Sequence, residues 1–168
     1  MNIRDWSSDV CSSDLAVVDF DVHHGNGTQA FAEGEARLTF ASIHQGWIYP
    51  GTGSAHETGA YGNIINLPMA AGTPGEDWLA AIRNRISPRL EQVQPDILLV
   101  SAGFDGHADD PLAGLALQEA DYAAVGALLA EAAQAWSASR LVCVLEGGYD
   151  CPALERSVRA FLGALTRA

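Results

Sequence analysis

The chain has 168 residues, enough for one domain with a real core, and no apolar run approaches the ~18 residues of a membrane helix. Its net charge is −12 and every basic residue is an arginine; this balance argues against a nucleic-acid-binding surface, and either attracts cationic partners or simply keeps the chain soluble. Three cysteines (Cys11, Cys143 and Cys151) without CxxC spacing argue against a disulfide framework and point to a reducing compartment, the cytoplasm.

Met1 to Asp14 is rich in Ser and Asp and has neither the basic start nor the apolar centre of a signal peptide. It reads as a disordered or foreign segment ahead of a single unit, residues 15–168. Leu15 to Phe20 is the first expected strand, and a short helix fits around Phe31. Arg37 to His44 is a second strand, and Gly46 to Gly62, rich in Gly, Pro and Tyr, reads as a long ordered loop. Asn63 to Pro68 is a third strand. Trp78, Leu79, Ile82, Ile86, Leu90 and Val93 recur at helical spacing, with Pro88 marking a kink or break. Asp96 to Ala102 and Leu141 to Leu145 are continuous apolar runs of the kind a parallel strand buried on both faces shows. Tyr122, Val125, Leu129, Ala132 and Trp136 stripe a helix beginning near Gln118, and Leu154, Val158, Phe161 and Leu165 stripe the last one, with Pro152 in its first turn. Alternating strands and helices predict an α/β fold with a mainly parallel sheet flanked by helices.

The chemistry concentrates in Asp19-Phe20-Asp21-Val22-His23-His24-Gly25-Asn26-Gly27-Thr28. Asp21 and His23 share one face of an extended chain by its two-residue period. Hard oxygen plus imidazole suits zinc, iron or manganese, and a string without thiolates argues against a closed structural zinc site. A plainer reading is a capping Asp with a hydrogen-bonded turn histidine. Asp105 and Tyr149 also fall just past strand ends, where open parallel sheets form their ligand crevice. Alone, the one reads as a turn cap and the other as a surface-packed ring. His107 and Asp109 lie near enough to ligate, whereas Asp110-Pro111 reads as turn chemistry and His24 as a hydrogen-bonded neighbour. Neither Gly147-Gly148 nor Gly51-Thr52-Gly53 carries the tail of a phosphate loop.

In this order, the Asp-x-Asp-x-His-His string, Ser101-Ala102-Gly103-Phe104-Asp105 and Glu146-Gly147-Gly148-Tyr149 resemble the motifs of the histone deacetylase superfamily. That superfamily includes bacterial class II-like, acetoin-utilization-like and acetylpolyamine amidohydrolase-like members. The resemblance runs from about residue 15 to the C-terminus and implies an arginase/deacetylase-like fold, here incomplete because family members carry further strands and a His-His pair upstream. It implies Asp21, His23 and Asp105 as ligands of one Zn2+, and Tyr149 as the hydroxyl that stabilises the oxyanion while a metal-activated water cleaves the amide. The implied substrate is an acetylated lysine peptide or an acetylated polyamine.

By the same resemblance Asp19 would orient one upstream histidine and, with Asp21, His23 and Ser42, help hold K+; Asn26 would sit near the other histidine. Tyr49 is a candidate wall of the acyl tunnel, with ordinary loop packing as the alternative. Leu112 stands where polyamine-selective relatives place an acidic gatekeeper, so it leans toward acetyl-lysine. His44 and His56 are in the wrong context to replace the upstream base. The chain is therefore expected to turn over slowly by itself, and to leave a strand edge unpaired with apolar surface uncovered. Two other readings stand beside this one. An arginase-like hydrolase with two manganese ions would want an Asp-x-His-x-Asp string, where here Gly25 follows His23-His24. A non-catalytic metal-binding fragment is the other.

Overall fold

The computed structural model describes residues 14–167. The expectation for the N-terminal segment falls on Met1–Ser13, outside the described residues, and only Asp14 of that segment is seen. Its backbone N–H donates to the Asp96 carboxylate (2.9 Å), and its carbonyl accepts from the Asp96 N–H (2.8 Å).

Five strands form one wholly parallel sheet: β1 (Leu15–Asp19), β2 (Leu38–Gln45), β3 (Ile64–Met69), β4 (Ile97–Ala102) and β5 (Leu141–Leu145), in spatial order β3-β2-β1-β4-β5. The order reverses at β1, which pairs with β2 on one side and with β4 on the other. Asp19 at its end lies in register with Ser42 and Ser101. Every strand points the same way, so all the loops leaving strand ends gather at one edge, and the switch of direction beside β1 opens a crevice there.

Helices cover the two faces unequally. On one face α1 (Asn26–Glu33) seals a small cluster of Val17, Ala32, Leu38, Phe40 and Ile64. On the other lie α2 (Gly75–Ala81), α3 (Ser87–Val93), α4 (Glu119–Trp136) and α5 (Cys151–Leu165), over a core that includes Ala16, Val18, Leu98 and Val100. Between α2 and α3 the chain makes a π-helical turn, Ile82–Ile86, and Pro88 falls in the first turn of α3. Pro88 has no N–H to give the preceding turn, and the π-helical turn carries the helical path across that gap from α2 into α3. Gln118 and Asp121 form a reciprocal capping box that starts α4, and the Asp150 carboxylate accepts the Ala153 N–H (2.8 Å) to start α5. Between Gln45 and Ile64 no helix or strand forms, as the Gly- and Pro-rich composition predicts.

The outer strand differs from expectation. Leu141–Leu145 was expected to be buried, yet Val142, Val144 and Leu145 are 51 %, 54 % and 59 % exposed. Among the described residues β5 is an edge paired only with β4, and α1 does not reach its side of the sheet. β4 likewise alternates between buried and half-buried residues. Among the described residues, no helix is long and apolar enough to cross a membrane.

Candidate metal centre

The ladder of β1 ends at Asp19, before the motif is complete. Burial nevertheless alternates through it: Phe20, Val22 and His24 are buried, while Asp21 and His23 are half-buried. Phe20 is the anchor, its ring edge-on to Phe104 and Phe161 with centroids 5.7 Å and 5.5 Å away. With that ring fixed in the core, Asp21 and His23 face the crevice. The chain is then held by turn chemistry. Asp19 Oδ1 accepts the Asp21 N–H (3.1 Å) and Asp21 Oδ1 accepts the His23 N–H (2.8 Å). The turn-capping reading of these carboxylates is thus true, and it coexists with a second role.

That second role shows in where the third carboxylate lands. Asp105, fully buried past the end of β4, receives the Val22 N–H on Oδ1 (2.9 Å) and brings Oδ2 to 3.1 Å from His23 Nδ1. His23 Nδ1 is also 3.1 Å from Asp21 Oδ1. One donor atom from each of Asp21, His23 and Asp105 lies within 4.8 Å of the others, and among the described residues this is the one such cluster of His, Cys, Asp and Glu. Two glycines make room for it. A Cβ on Gly103 would collide with Asp21, and one on Gly147 with the Asp105 carboxylate, so only bare backbone fits. Gly147 uses the space to donate its N–H to Asp21 Oδ2 (2.7 Å).

The charge balance of the cluster points to a cation. Burial, and then the neighbouring Asp21 charge, push the Asp105 carboxyl up to about 6. Asp19 is raised well above the usual range, by burial first and by Asp21 next. Backbone amides satisfy some oxygens but bring no full positive charge, so a divalent ion fits the donor set where a proton otherwise competes.

Around the cluster lies a cavity of about 720 Å3, lined also by Asp19, Tyr49, Leu112, Glu146 and Tyr149. The Tyr49 ring centroid is 6.3 Å from that of His23. Tyr149 is 53 % exposed, and its phenol is raised by partial burial and then by the Asp105 and Asp21 charges, which keeps it protonated. Gly148 before it has φ +143°, a conformation open to glycine. Ser42 is buried beside Asp19 and its Oγ pairs with His44 Nδ1 (2.9 Å), while the side chain of Asn26 is exposed at the start of α1.

The remaining histidines point elsewhere. His24 Nδ1 pairs with Thr52 Oγ1 (2.7 Å) and Nε2 with Gln29 Oε1 (2.8 Å). His44 lies against it and reaches the Gly53 carbonyl (3.2 Å), His56 is exposed, and His107 stacks on Tyr122. Sequence reading missed two features here. One is the polar strap of His24, Gln29, Glu57 and Asn66 under the long loop. The other is Asp110, whose Asp-Pro signal shows only one of the two bonds it makes.

Comparison with known proteins identifies the family. The model of the histone deacetylase domain matches residues 3–165, starting inside the segment that the sequence reading set apart. The chain is 42 % identical over 144 residues to an uncharacterized protein of Synechocystis sp., covering 86 % of this chain and 46 % of that one. It is 42 % identical over 166 aligned positions to the type-2 histone deacetylase 2 of Dictyostelium discoideum, covering 91 % of this chain and 10 % of that one. The crystal structure of an acetylpolyamine aminohydrolase from Burkholderia pseudomallei superposes with a TM-score of 0.83 at 31 % identity, covering 91 % of this chain and 45 % of that one. The chain thus spans less than half the length of each of these three proteins. A parallel sheet whose strand ends gather Asp21, His23, Asp105 and Tyr149, matched by a family model over nearly its whole length, places this chain in the histone deacetylase family.

Proposed function

We propose that this chain carries the metal-binding part of an amidohydrolase that removes acetyl groups from acetyl-lysine or an acetylated polyamine. The observation that supports this most is the convergence of Asp21, His23 and buried Asp105 at the wall of a cavity that Asp21 and His23 line together with Tyr149. Those three residues would hold one zinc ion, leaving a coordination position open as catalytic sites do. When bound there, zinc would supply Lewis acidity toward a carbonyl and lower the pKa of water toward roughly 7. The chain's own groups do the rest. Tyr149 donates its O–H to the oxygen on which charge develops, an interaction typically worth about 3–4 kcal/mol. Tyr49 and Leu112, both on the cavity wall, would flank the acyl chain. Leu112 offers no carboxylate to a polyamine, which favours acetyl-lysine. Buried Asp19, beside Ser42, would hold a monovalent cation such as K+ and keep Asp21 in register.

Proton transfer needs a base. His24, the second imidazole on the cavity wall, has both ring nitrogens engaged by Thr52 and Gln29. The 168 residues are therefore proposed to turn over at least about 10²-fold more slowly than a longer relative, the low end for lost acid–base catalysis. Asn26 is proposed to face a group outside the described residues, and a reducing compartment such as the cytoplasm suits the free Cys143 and Cys151.

Metal analysis tests the reading. The chain should bind about one zinc, and Asp105→Ala should abolish binding, as loss of a ligand requires. Two tightly held manganese ions would instead support the arginase-like alternative. Zinc content unchanged by Asp105→Ala would overturn the assignment of the site.

A further inference from the structure

Asp110 lies outside the metal cluster and ligates nothing there, yet its carboxylate is buried, with only 8 % of the residue exposed. Both of its oxygens are taken by backbone donors from the cavity walls. Oδ1 accepts the Leu112 N–H (2.9 Å), and Oδ2 accepts the Tyr149 N–H (2.8 Å) from a loop 39 residues away in sequence. The first bond is the local turn that Asp-Pro predicts. The second has no local origin.

The two sides of this bridge are built differently. The Asp110 side is clamped from behind: its N–H donates to the His107 carbonyl (2.9 Å), the Ala108 N–H donates to the Leu117 carbonyl (2.9 Å), and Arg156 of α5 reaches the Asp109 carboxylate (3.0 Å). The Tyr149 side is tied as far as Gly147, whose N–H donates to Asp21 Oδ2 (2.7 Å) and whose carbonyl accepts the Phe104 N–H (2.7 Å), but the next joint is Gly148, without a side chain to pack and at φ +143°. Glycines allow the loop to turn inward but do not fix where it stops. A charge-assisted bond to a rigid neighbour does fix it.

We propose that Asp110 is a positioning residue: its carboxylate locks the Leu112 wall and the Tyr149 loop to each other, so that phenol and acyl wall hold one height above the metal ligands. This rests on the reading of Tyr149 and Leu112 given under the proposed function. Asparagine at this position is isosteric, but it turns one of the two acceptors into a donor facing an N–H, so one wall is released.

The test is a double-mutant cycle of Asp110→Asn with Tyr149→Phe in the zinc-loaded chain, read in two ways. The first reading is backbone amide exchange by NMR, which needs no turnover. Asp110→Asn should speed exchange of the Leu112 and Tyr149 amides by about tenfold or more, roughly the loss of one charge-assisted bond. The Val22 amide, held by Asp105, should not change. The second reading is hydrolysis of a fluorogenic acetyl-lysine peptide. Asp110→Asn should lower kcat about 10- to 100-fold with KM and zinc content little changed, because misplacement of a reacting group by about 1 Å costs on that order. In the Tyr149→Phe background the same substitution should cost less than about threefold, since a group acting through the phenol has nothing left to act on. Unchanged exchange at Leu112 and Tyr149, or equal losses in both backgrounds, would overturn the proposal. If Asp110→Asn loses cooperative unfolding, Asp110→Glu, which keeps both acceptors on a longer arm, takes its place in the cycle. Failure of both to fold makes Asp110 a stability residue and overturns the proposal as well. Failure of the wild type to bind zinc counts against the deacetylase reading, whereas turnover too slow to measure is what the proposed function expects of these 168 residues; the exchange data decide the Asp110 link in either case.

Discussion

At the scale of single residues the centre is a competition between a metal ion and a proton. Asp105 is held at about 6 by burial and by the Asp21 charge. A protonated carboxyl does not ligate, so zinc affinity should be level above about pH 7 and weaken at least about tenfold between pH 6.5 and 5, with protons released on binding. Competition against a chelator across that range measures it, and a flat profile would contradict the raised Asp105. The sign for the metal-free chain is opposite. The folded state holds a proton that the unfolded state sheds between the ordinary value of 3.8 and about 6, so the Asp105 contribution to stability grows as pH falls through that window.

At the scale of elements, β2 is tied to the loop after it by buried His44, whose Nε2 donates to the Gly53 carbonyl (3.2 Å). His44 is pulled down to about 4, by burial first and by neighbouring His24 next. The unfolded chain therefore binds more protons than the folded one between about pH 4 and the ordinary 6.5. His44's contribution is full above 6.5 and is lost as pH falls toward 4, to the extent of roughly 3 kcal/mol. Urea denaturation from pH 7 to 4.5 should show this slope in the wild type, and His44→Asn should flatten it relative to the wild type. The α4–α5 contact makes a second prediction. A Cβ on Gly126 would stand 2.9 Å from the Phe161 carbonyl and 3.1 Å from its ring, and backbone cannot move aside as a side chain can. Overpacking of about 1–3 kcal/mol should outweigh the ~1 kcal/mol of helix propensity that alanine adds. Gly126→Ala should thus unfold at lower urea, whereas Gly163→Ala, whose Cβ meets only the flexible Arg167, should be neutral or stabilising.

At the scale of the whole molecule, the sheet of the described residues ends on β5 with Val142, Val144 and Leu145 more than half exposed. An open parallel edge beside uncovered apolar side chains is a template for association, which a net charge of −12 opposes only through long-range repulsion that salt screens. The chain should self-associate as salt rises from about 20 mM to 300 mM, over which screening becomes short-ranged. Val142→Lys with Val144→Lys should suppress this, as edge lysines do. Sedimentation velocity gives the outcome, and a monomer at all salt concentrations would show that the edge is already protected.

Sequence periodicity by itself determined the five strands, the helices between them and the shared strand-end location of Asp21, His23, Asp105 and Tyr149. It could do so because apolar alternation and continuous apolar runs are written locally, and parallel strands leave their loops at one edge. The turn role and the ligand geometry of Asp21 were both legible, though as rivals; the fold lets one carboxylate serve both. Only the tertiary structure decided that β5 is an open edge, because a run such as Leu-Val-Cys-Val-Leu looks alike in the middle of a sheet and at its border. Only it decided that His24 turns to Thr52 and Gln29 while its neighbour His23 faces Asp105. Asp110 shows the limit most plainly: its bond to Leu112 is two residues long and can be read from Asp-Pro, whereas its bond to Tyr149 spans 39 residues and exists because the loops after β4 and β5 are laid side by side.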